Sequence, residues 1–437
     1  MIFAPYDVAL KKRQAENRPI QVGLIGAGNL ARMISVQLVN PPPPGIRLAA
    51  IANRTPSRAA ALLNELGLPA KEVSSAAELS DAIVAGRLVC AGDPNILTQC
   101  DHIDVIVEAT GSVDFALTVT LNAIAHRKHV VLANAELDST LGPALKARAD
   151  RAGVVYTNID GDEPGVAMNL VRYARSIGLR PVAAGNLKGM VDPYRNPDTQ
   201  KKFAEEHGQN ASIVTSFADG TKLAMELCIL ANATGFKVGK PGMYGPACKS
   251  VNEIAALLPA EQMLSTGLVD YALGAAPYTG AFVVTHEPVE IRRKFLRYLK
   301  MGDGPFYVLY TPYHLPHIQM VSTIARAVET GDSTVAPLAA PSCQVIACAK
   351  KDLPAGAVLD GPGGFTCYGR IENFAPRPRE TQGFPIALTN GCTLNRAIKR
   401  DEPIMLPDVK PADASPAYEL WMEMLTTAAA TPAPSSL

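Results

Sequence analysis

The chain has 437 residues, a length that predicts two or three domains rather than a single core. Lys and Arg together number 41, as do Asp and Glu, so the sequence lacks the basic surplus of proteins that bind nucleic acids or membrane surfaces. It shows no apolar run of roughly 18 residues, no export signal and no CxxC pair among its eight cysteines. We therefore expect a cytoplasmic protein with buried free thiols and a small-molecule substrate, without a nucleic-acid or membrane partner.

Residues 19–160 alternate short apolar, β-rich runs with helical patterns. Strands are predicted over 20–26, 48–52, 105–108, 129–133 and 154–157, and helices over 29–38, 56–66, 115–126 and 142–152. This alternation implies right-handed crossovers between parallel strands. The predicted class is α/β, with a doubly wound sheet of the Rossmann type in this part of the chain.

A glycine-rich turn follows the first predicted strand. Gly26-Ala27-Gly28-Asn29-Leu30-Ala31 has the form GxGxxA and stands between a strand and a helix. In that context the first Gly permits a tight turn and the second lets the backbone approach a pyrophosphate. The amides at the start of the helix would then bind the phosphates. We predict that Gly26, Gly28, Asn29 and Leu30 bind a dinucleotide.

The residues after the second strand indicate which dinucleotide binds. NAD-specific domains usually carry an Asp or Glu at this position, and the chain has Asn53 and Arg54 instead. Arg54 and Arg58 would pair with a 2′-phosphate, so NADP(H) is favoured over NAD(H). The alternative interpretation is that both arginines are solvated loop charges.

Two further loops complete the predicted cofactor site. Thr110 and Gly111 follow the third predicted strand, and Asn134 and Glu136 follow the fourth. Loops at these positions of a Rossmann sheet lie near the nicotinamide ribose.

The rest of the chain is less regular. Residues 161–340 mix helical and strand patterns and predict an α+β domain for substrate binding and homo-oligomer formation. Residues 341–425 are rich in Gly and Pro and predict a small β-rich domain. The low-complexity tail, 426–437, is expected to be frayed.

Several motifs resemble those of the homoserine-dehydrogenase-like NAD(P) oxidoreductases: GLIGAGNLA, IVEATGS, VVLANAELD and VVYTNIDGDEPG, in this order. The later segments AGNLKGMVDPYRNPDTQ and SFADGTKLAMELCILANATG are similar to those of a subgroup with a C-terminal SAF domain, as are AKKDLPAGAVLDGPGG and NRAIKRDEPIMLPDV. The subgroup includes reductoisomerase-like enzymes that convert 1-deoxyxylulose 5-phosphate to methylerythritol 4-phosphate with NADPH. The resemblance covers nearly the whole chain and leaves the substrate open.

Four residues of the middle domain are candidates for catalysis. A lysine suits proton transfer to a reacting oxygen because burial lowers its pKa toward neutrality. Lys188 follows a predicted strand, while Lys222 lies just inside an apolar helix with Asp219 as its expected cap and Glu226 one turn further on. The alternative is a capped helix with a surface ion pair. The family resemblance implies an Asp/Lys constellation in this domain.

The segment from Asp160 to Glu163 contains three carboxylates. They could bind a divalent cation, although a polar turn at a helix start is the favoured interpretation. Tyr313 and His314 are further candidates for substrate contact. The sequence as a whole predicts an NADP-dependent oxidoreductase acting on a small hydroxy or oxo compound. The alternatives are a reductoisomerase of isoprenoid biosynthesis, a sugar-acid dehydrogenase and a non-catalytic dinucleotide sensor.

Overall fold

The computed structural model describes residues 6–338, 340–375, 377–412 and 415–430. The first part of the chain forms a sheet of seven parallel strands: β1 (Ile20–Ile25), β2 (Ile46–Ala52), β3 (Glu72–Val73), β4 (Val89–Ala91), β5 (Val105–Glu108), β6 (His129–Leu132) and β7 (Tyr156–Asn158). Their order is β3-β4-β2-β1-β5-β6-β7. The order reverses between β1 and β5, which is where ligands bind in open α/β sheets. The predicted Rossmann-type class is confirmed.

Seven helices belong to this part: α1 (Tyr6–Ala15), α2 (Asn29–Val39), α3 (Pro56–Glu65), α4 (Ala76–Val84), α5 (Asn95–Gln99), α6 (Val113–Ala125) and α7 (Ala135–Ala152). Because side chains alternate along a strand, the sheet buries two apolar faces. Val105 and Val107 pack in the same cluster as the apolar residues of α2 and α3, whereas Ile106 packs with those of α4 to α7.

Between residues 72 and 99, two strands and two helices were not predicted: β3, α4, β4 and α5. The strands are only two and three residues long. A run this short shows no recognisable period.

The start predicted for α7 was also wrong, since the helix begins at Ala135 and runs through Pro143. A proline there cannot donate to the carbonyl four residues earlier. That carbonyl, on Ser139, instead accepts from the Cys228 thiol at 3.6 Å.

The middle part contains a four-stranded sheet of order β11-β10-β8-β9. Its strands are β8 (Arg180–Lys188), β9 (Leu268–Leu273), β10 (Ala281–His286) and β11 (Phe306–Thr311), with β8 and β9 parallel and the other pairs antiparallel. The helices are α8 (Glu163–Ser176), α9 (Pro197–Glu206), α10 (Ala211–Ala218), α11 (Thr221–Thr234), α12 (Ile254–Leu257), α13 (Ala260–Ser265), α14 (Glu290–Tyr298) and α15 (Met320–Thr330).

Helix α11 is almost entirely buried and contacts all three parts of the chain, through α7, α8, β12 and β13. Helix α15 returns to the first sheet, where Met320 and Ile324 join the cluster that contains α2 and α3.

The last part consists of β12 (Cys343–Ala349), β13 (Cys367–Asn373), β14 (Thr393–Leu394), β15 (Val409–Lys410) and α16 (Pro416–Ala430). β12 pairs with β13 and β14 with β15, both antiparallel.

Helix α16 packs against α6 and α7 of the first part. Residues 426–430 therefore belong to a helix, which corrects the predicted frayed tail, and residues 431–437 lie outside the described residues. All eight cysteines are buried and free, as expected. Within the described ranges, none of the helices has the length and apolar character needed to cross a bilayer.

Candidate active site

The glycine-rich turn joins β1 to α2. Gly26 has φ +119°, and a Cβ at this position would lie 2.8 Å from the carbonyl oxygen of Ala109, so only glycine fits without strain. Gly28 is the N-cap residue of α2 and provides no side-chain cap. A Cβ at Gly28 would meet no heavy atom within 4 Å. The start of α2, with Asn29 exposed and Leu30 half-buried, therefore borders open space.

The second loop follows β2. Asn53 donates its side-chain amide to the carbonyl of Thr55 at 2.9 Å, which orders the turn into α3. Arg54 and Arg58 are exposed. Neither guanidinium has a hydrogen-bond or ion-pair partner within the part of the chain that the structure describes, so both can meet an anionic ligand.

A buried carboxyl group that was not predicted from the sequence links the loops that follow β5 and β6. Glu108 ends β5 and accepts from the Thr110 amide at 2.8 Å, from the Thr110 hydroxyl and from the Asn134 side chain at 3.0 Å. Asn134 in turn caps α7 by accepting from the Leu137 amide at 3.0 Å. Burial raises the pKa of Glu108 to about 7. The only signal in the sequence was a carboxylate inside an apolar strand.

Five charged side chains meet where β8 ends and where α8 and α11 begin. We call them the lysine–carboxylate cluster: Asp162, Glu163, Lys188, Lys222 and Glu226. The Lys188 ammonium lies 3.1 Å from Glu163 Oε1 and 3.6 Å from Glu226 Oε2. Asp162, Glu163 and Glu226 each offer a carboxylate oxygen, and these oxygens lie within 4.8 Å of one another.

Neighbouring groups hold this cluster in place. Asn186 donates to Glu226 Oε2 at 2.8 Å, and His314 Nε2 lies 3.7 Å from Glu163 Oε2. The other ring nitrogen of His314 is 2.8 Å from the Thr279 hydroxyl. His314 was a candidate from the sequence, whereas Asn186 and Thr279 were missed because nothing in the local pattern distinguishes these two uncharged polar residues.

Electrostatics divide the cluster into charged and proton-holding groups. Burial alone would lower the pKa of Lys188, but the charges of Glu163 and Glu226 outweigh it and raise that pKa above its usual range. The pKa of Lys222 rises in the same way, because Glu136 and Asp162 outweigh its burial. The expectation that burial would bring these lysines toward neutrality was therefore wrong.

The carboxylates respond differently to the same environment. Burial would raise the pKa of Glu163, yet Lys188 and His314 lower it to about 2. Burial and the charge of Glu163 raise the pKa of Asp162 to about 6 and that of Glu226 well above its ordinary value. The cluster thus combines two charged lysines with carboxyl groups that can hold a proton.

The predicted role of Asp219 in this cluster needs correction. Gly220, with φ +84°, is the N-cap residue of α11, and the Asp219 carboxylate accepts from the Thr221 amide at 2.8 Å. Its other oxygen lies 2.8 Å from the ammonium of Lys350, in the last part of the chain. Asp219 therefore faces away from Lys222, toward a partner that sequence spacing could not reveal.

A cleft of about 390 Å³ lies between the loops after β5 and β6 and the C-terminal part of the chain. Gly111 and Glu136 lie on one wall, and Asp360, Pro362 and Asn390 on the other. Lys222 Nζ is 3.9 Å from Glu136 Oε2, so the wall of the cleft contacts the lysine–carboxylate cluster at Glu136. Thr110, Gly111, Asn134 and Glu136 are thus gathered at one end of the sheet, as their spacing predicted.

Comparison with solved structures gives distant likenesses. A homoserine dehydrogenase from Thiobacillus denitrificans is 17% identical, with a TM-score of 0.42 over 72% of this chain and 74% of that one. A myo-inositol dehydrogenase from Lactobacillus casei, solved with NAD(H) and myo-inositol, is 13% identical, with a TM-score of 0.40 over 74% of this chain and 89% of that one.

Comparison of sequences is more local. A homoserine dehydrogenase of Synechocystis sp. is 27% identical over 172 residues, which are 37% of this chain and 39% of that protein. This chain therefore spans about two fifths of that relative's length. Residues 161–320 match the family model described as the catalytic domain of the oxidoreductase DRL. The lysine–carboxylate cluster and His314 all lie inside this matched segment, so the site falls where the chain is similar to an oxidoreductase catalytic domain.

Proposed function

We propose that this chain is an NADP(H)-dependent oxidoreductase that transfers a hydride to or from a small polar hydroxy or oxo compound. The observation that carries this proposal is the pair of charged lysines held among buried carboxyl groups, in a segment similar to an oxidoreductase catalytic domain. The cluster adjoins loops that end the strands of a Rossmann sheet. Hydride transfer at a carbonyl carbon needs this kind of polar site.

The residues of the Rossmann part fit a dinucleotide. The open space beside Gly28 and the uncapped start of α2 suit a pyrophosphate. Arg54 and Arg58 have no competing partner in the described chain and suit a 2′-phosphate. The cofactor, when bound, supplies or accepts the hydride. Glu108 would fix the loops of Thr110 and Asn134 beside the nicotinamide ribose.

The cluster would manage the charge on the reacting oxygen. Lys188 and Lys222 keep their positive charges, so they would stabilise an alkoxide as it forms rather than act as bases. Asp162 and Glu226, whose pKa values are raised, would exchange the proton of that oxygen. Glu163 stays ionised and would orient Lys188 and His314.

A divalent cation at this cluster stays a prediction. Three carboxylates offer oxygens close enough to share an ion. However, the Lys188 ammonium already contacts two of them, so a cation would have to displace it. The residues as placed fit the ammonium better than a metal, and no step of the proposed reaction passes through one.

The second candidate function is reductive isomerisation of 1-deoxyxylulose 5-phosphate. Two separate lysines in one cluster favour it, because a hydroxy-ketone presents two neighbouring oxygens to polarise. A non-catalytic dinucleotide sensor is disfavoured, since a sensor has no need of a buried polar cluster in its middle domain. A sugar-acid dehydrogenase would differ only in the ligand that enters the cleft.

The test is a thermal-shift titration with NADPH, NADP⁺, NADH and NAD⁺, followed by an assay of NADPH oxidation with 1-deoxyxylulose 5-phosphate and a panel of small oxo compounds. We expect stabilisation by the phosphorylated cofactors and turnover of at least one carbonyl compound. Stabilisation by NADH alone would refute the cofactor preference. No shift with any of the four would refute dinucleotide binding and with it the proposed reaction.

A further inference from the structure

A buried lysine from the C-terminal part of the chain joins three segments around the site. Lys350 directly follows β12, and only 4% of its side chain is exposed. Its ammonium lies 2.8 Å from Asp219 Oδ2 and donates to the carbonyls of Arg195 and Gly364, each at 2.7 Å. Two donors of the ammonium are thus hydrogen-bonded to carbonyls, and the Asp219 carboxylate pairs with its charge.

Each of the three partners belongs to a segment that borders the proposed site. Arg195 lies on the loop that follows Lys188, at the end of β8. Asp219 immediately precedes α11, the helix that carries Lys222 and Glu226. Gly364 ends the loop 360–364, which forms part of the wall of the cleft.

Other contacts fix two of these segments, the start of α11 and the loop 360–364, against their neighbours. The Gly369 amide, on β13, donates to the Thr221 hydroxyl at 2.8 Å, directly at the start of α11. Gly363, with φ +68°, packs so closely on the backbone of Ser212 in α10 that a Cβ would overlap it. Lys350 therefore lies at the centre of a rigid contact between the C-terminal part and the catalytic segment, rather than at a loose interface.

A buried ion pair is not by itself a gain in stability, because its charges lose their hydration on folding. Apolar residues of similar size often stabilise a fold equally well. We propose that Lys350 is a positioning residue. It holds the loop after Lys188 and the start of α11 in register, so that Lys188 and Lys222 face the same reacting centre. The C-terminal part would then set the geometry of the catalytic lysines, in addition to forming a wall of the cleft. This inference rests on the proposed function only for its kinetic test.

The main variant is Lys350→Met combined with Asp219→Asn, which removes both charges and leaves no unpaired buried ion. Asp219→Asn alone provides a milder perturbation. The control is Lys399→Met, because Lys399 forms a 3.0 Å ion pair with Asp352 in the same part of the chain, but with both side chains largely exposed. The kinetic readouts are kcat and the KM for NADPH, with kcat expressed per NADPH-binding site so that unfolded protein does not count.

For the double variant we expect kcat to fall about tenfold or more, since small displacements of catalytic groups have large effects on rate. The KM for NADPH should stay within about twofold of the wild-type value, because the Rossmann loops are untouched. Lys399→Met should leave both constants unchanged. A double variant with a lower melting temperature but a wild-type kcat per binding site would overturn the proposal, because Lys350 would then be merely structural.

A second measurement does not depend on turnover. Acetic anhydride labels lysines according to their exposure and environment, and mass spectrometry compares Lys188 and Lys222 with the exposed Lys294 in the same sample. Labelling of both cluster lysines should rise at least about threefold in the double variant and stay constant in Lys399→Met. Unchanged labelling would overturn the positioning role. If the wild-type protein turned over no substrate while this labelling rose, the proposed function would fail and the role of Lys350 would stand.

Discussion

The buried carboxyl group of Glu108 makes the stability of this protein depend on pH in a predictable direction. Its side chain is 0% exposed, and burial raises its pKa from an ordinary 4.5 to about 7. An unfolded chain gives up this proton near pH 4.5, whereas the folded chain keeps it until about pH 7. Because the folded state binds more protons in that window, its stability falls as the pH rises through it.

The size of the effect follows from the two pKa values. Between pH 5 and pH 8, the different proton release of the folded and unfolded chains lowers the free energy of unfolding by about 2.5 kcal/mol. Unfolding entropy scales to about 0.9 kcal/mol per kelvin for a chain of this length, if it unfolds as one unit. Glu108 alone should therefore lower the melting temperature by about 3 °C between these pH values.

The assay compares melting temperatures of the wild type and Glu108→Gln at pH 5 and pH 8. Glutamine keeps the shape and an acceptor for Thr110, yet does not titrate. The fall in melting temperature from pH 5 to pH 8 should be about 3 °C smaller in the variant. Glu205→Gln, at an exposed position of α9, is the matched control and should behave as the wild type. The reasoning is refuted if Glu108→Gln and the wild type lose the same stability, within 1 °C or so.

Three further outcomes test the site itself. Lys222→Met should lower kcat by about a hundredfold with the fold intact, because a charge that stabilises the reacting oxygen is lost. Circular dichroism and NADPH binding provide the control for folding. A normal kcat with lower thermal stability would make Lys222 structural. Arg54→Ala should raise the KM for NADPH by about tenfold and leave that for NADH nearly unchanged; equal losses for both cofactors would contradict a 2′-phosphate contact. Turnover should survive treatment with EDTA. Loss of turnover in EDTA that Mg²⁺ restores would show that a cation does displace Lys188.

The parts of the fold that were predictable are those with strong local patterns. β1, β2, β5 and β6 are predominantly apolar runs, and the glycine turn stands between a clear strand and a clear helix. β3 and β4 were not predicted because they are short; β4 pairs with β2, and β3 pairs in turn with β4. The early start of α7 escaped because Pro143 is a helix breaker in most contexts. The carbonyl that this proline leaves without a backbone donor accepts from the Cys228 thiol, which lies far away in the sequence.

The residues of the candidate site were likewise predictable where the local pattern is strong, and not where distant segments of the chain meet. Lys188, Lys222 and Glu226 were predictable because each is a charged residue at the end of a strand or near the start of a helix. Asp219 was placed in the wrong partnership, since spacing along a helix gives neighbours on that helix alone. Its actual partner, Lys350, is more than a hundred residues away, and only the packing of the C-terminal part reveals it.

The direction of the lysine pKa shifts has the widest consequence for mechanism. From the sequence alone, a lysine in an apolar setting is predicted to have a lowered pKa, because the local pattern indicates burial but not the charges that surround the lysine in the fold. In the folded chain, carboxylates from α7, α8 and α11 converge on two ammonium groups that come from β8 and α11. Since three carboxylates crowd together there, some of them keep their protons so that the others can stay ionised. The proton therefore resides on carboxyl groups and the permanent positive charge on lysines, which is the division that stabilising an alkoxide requires.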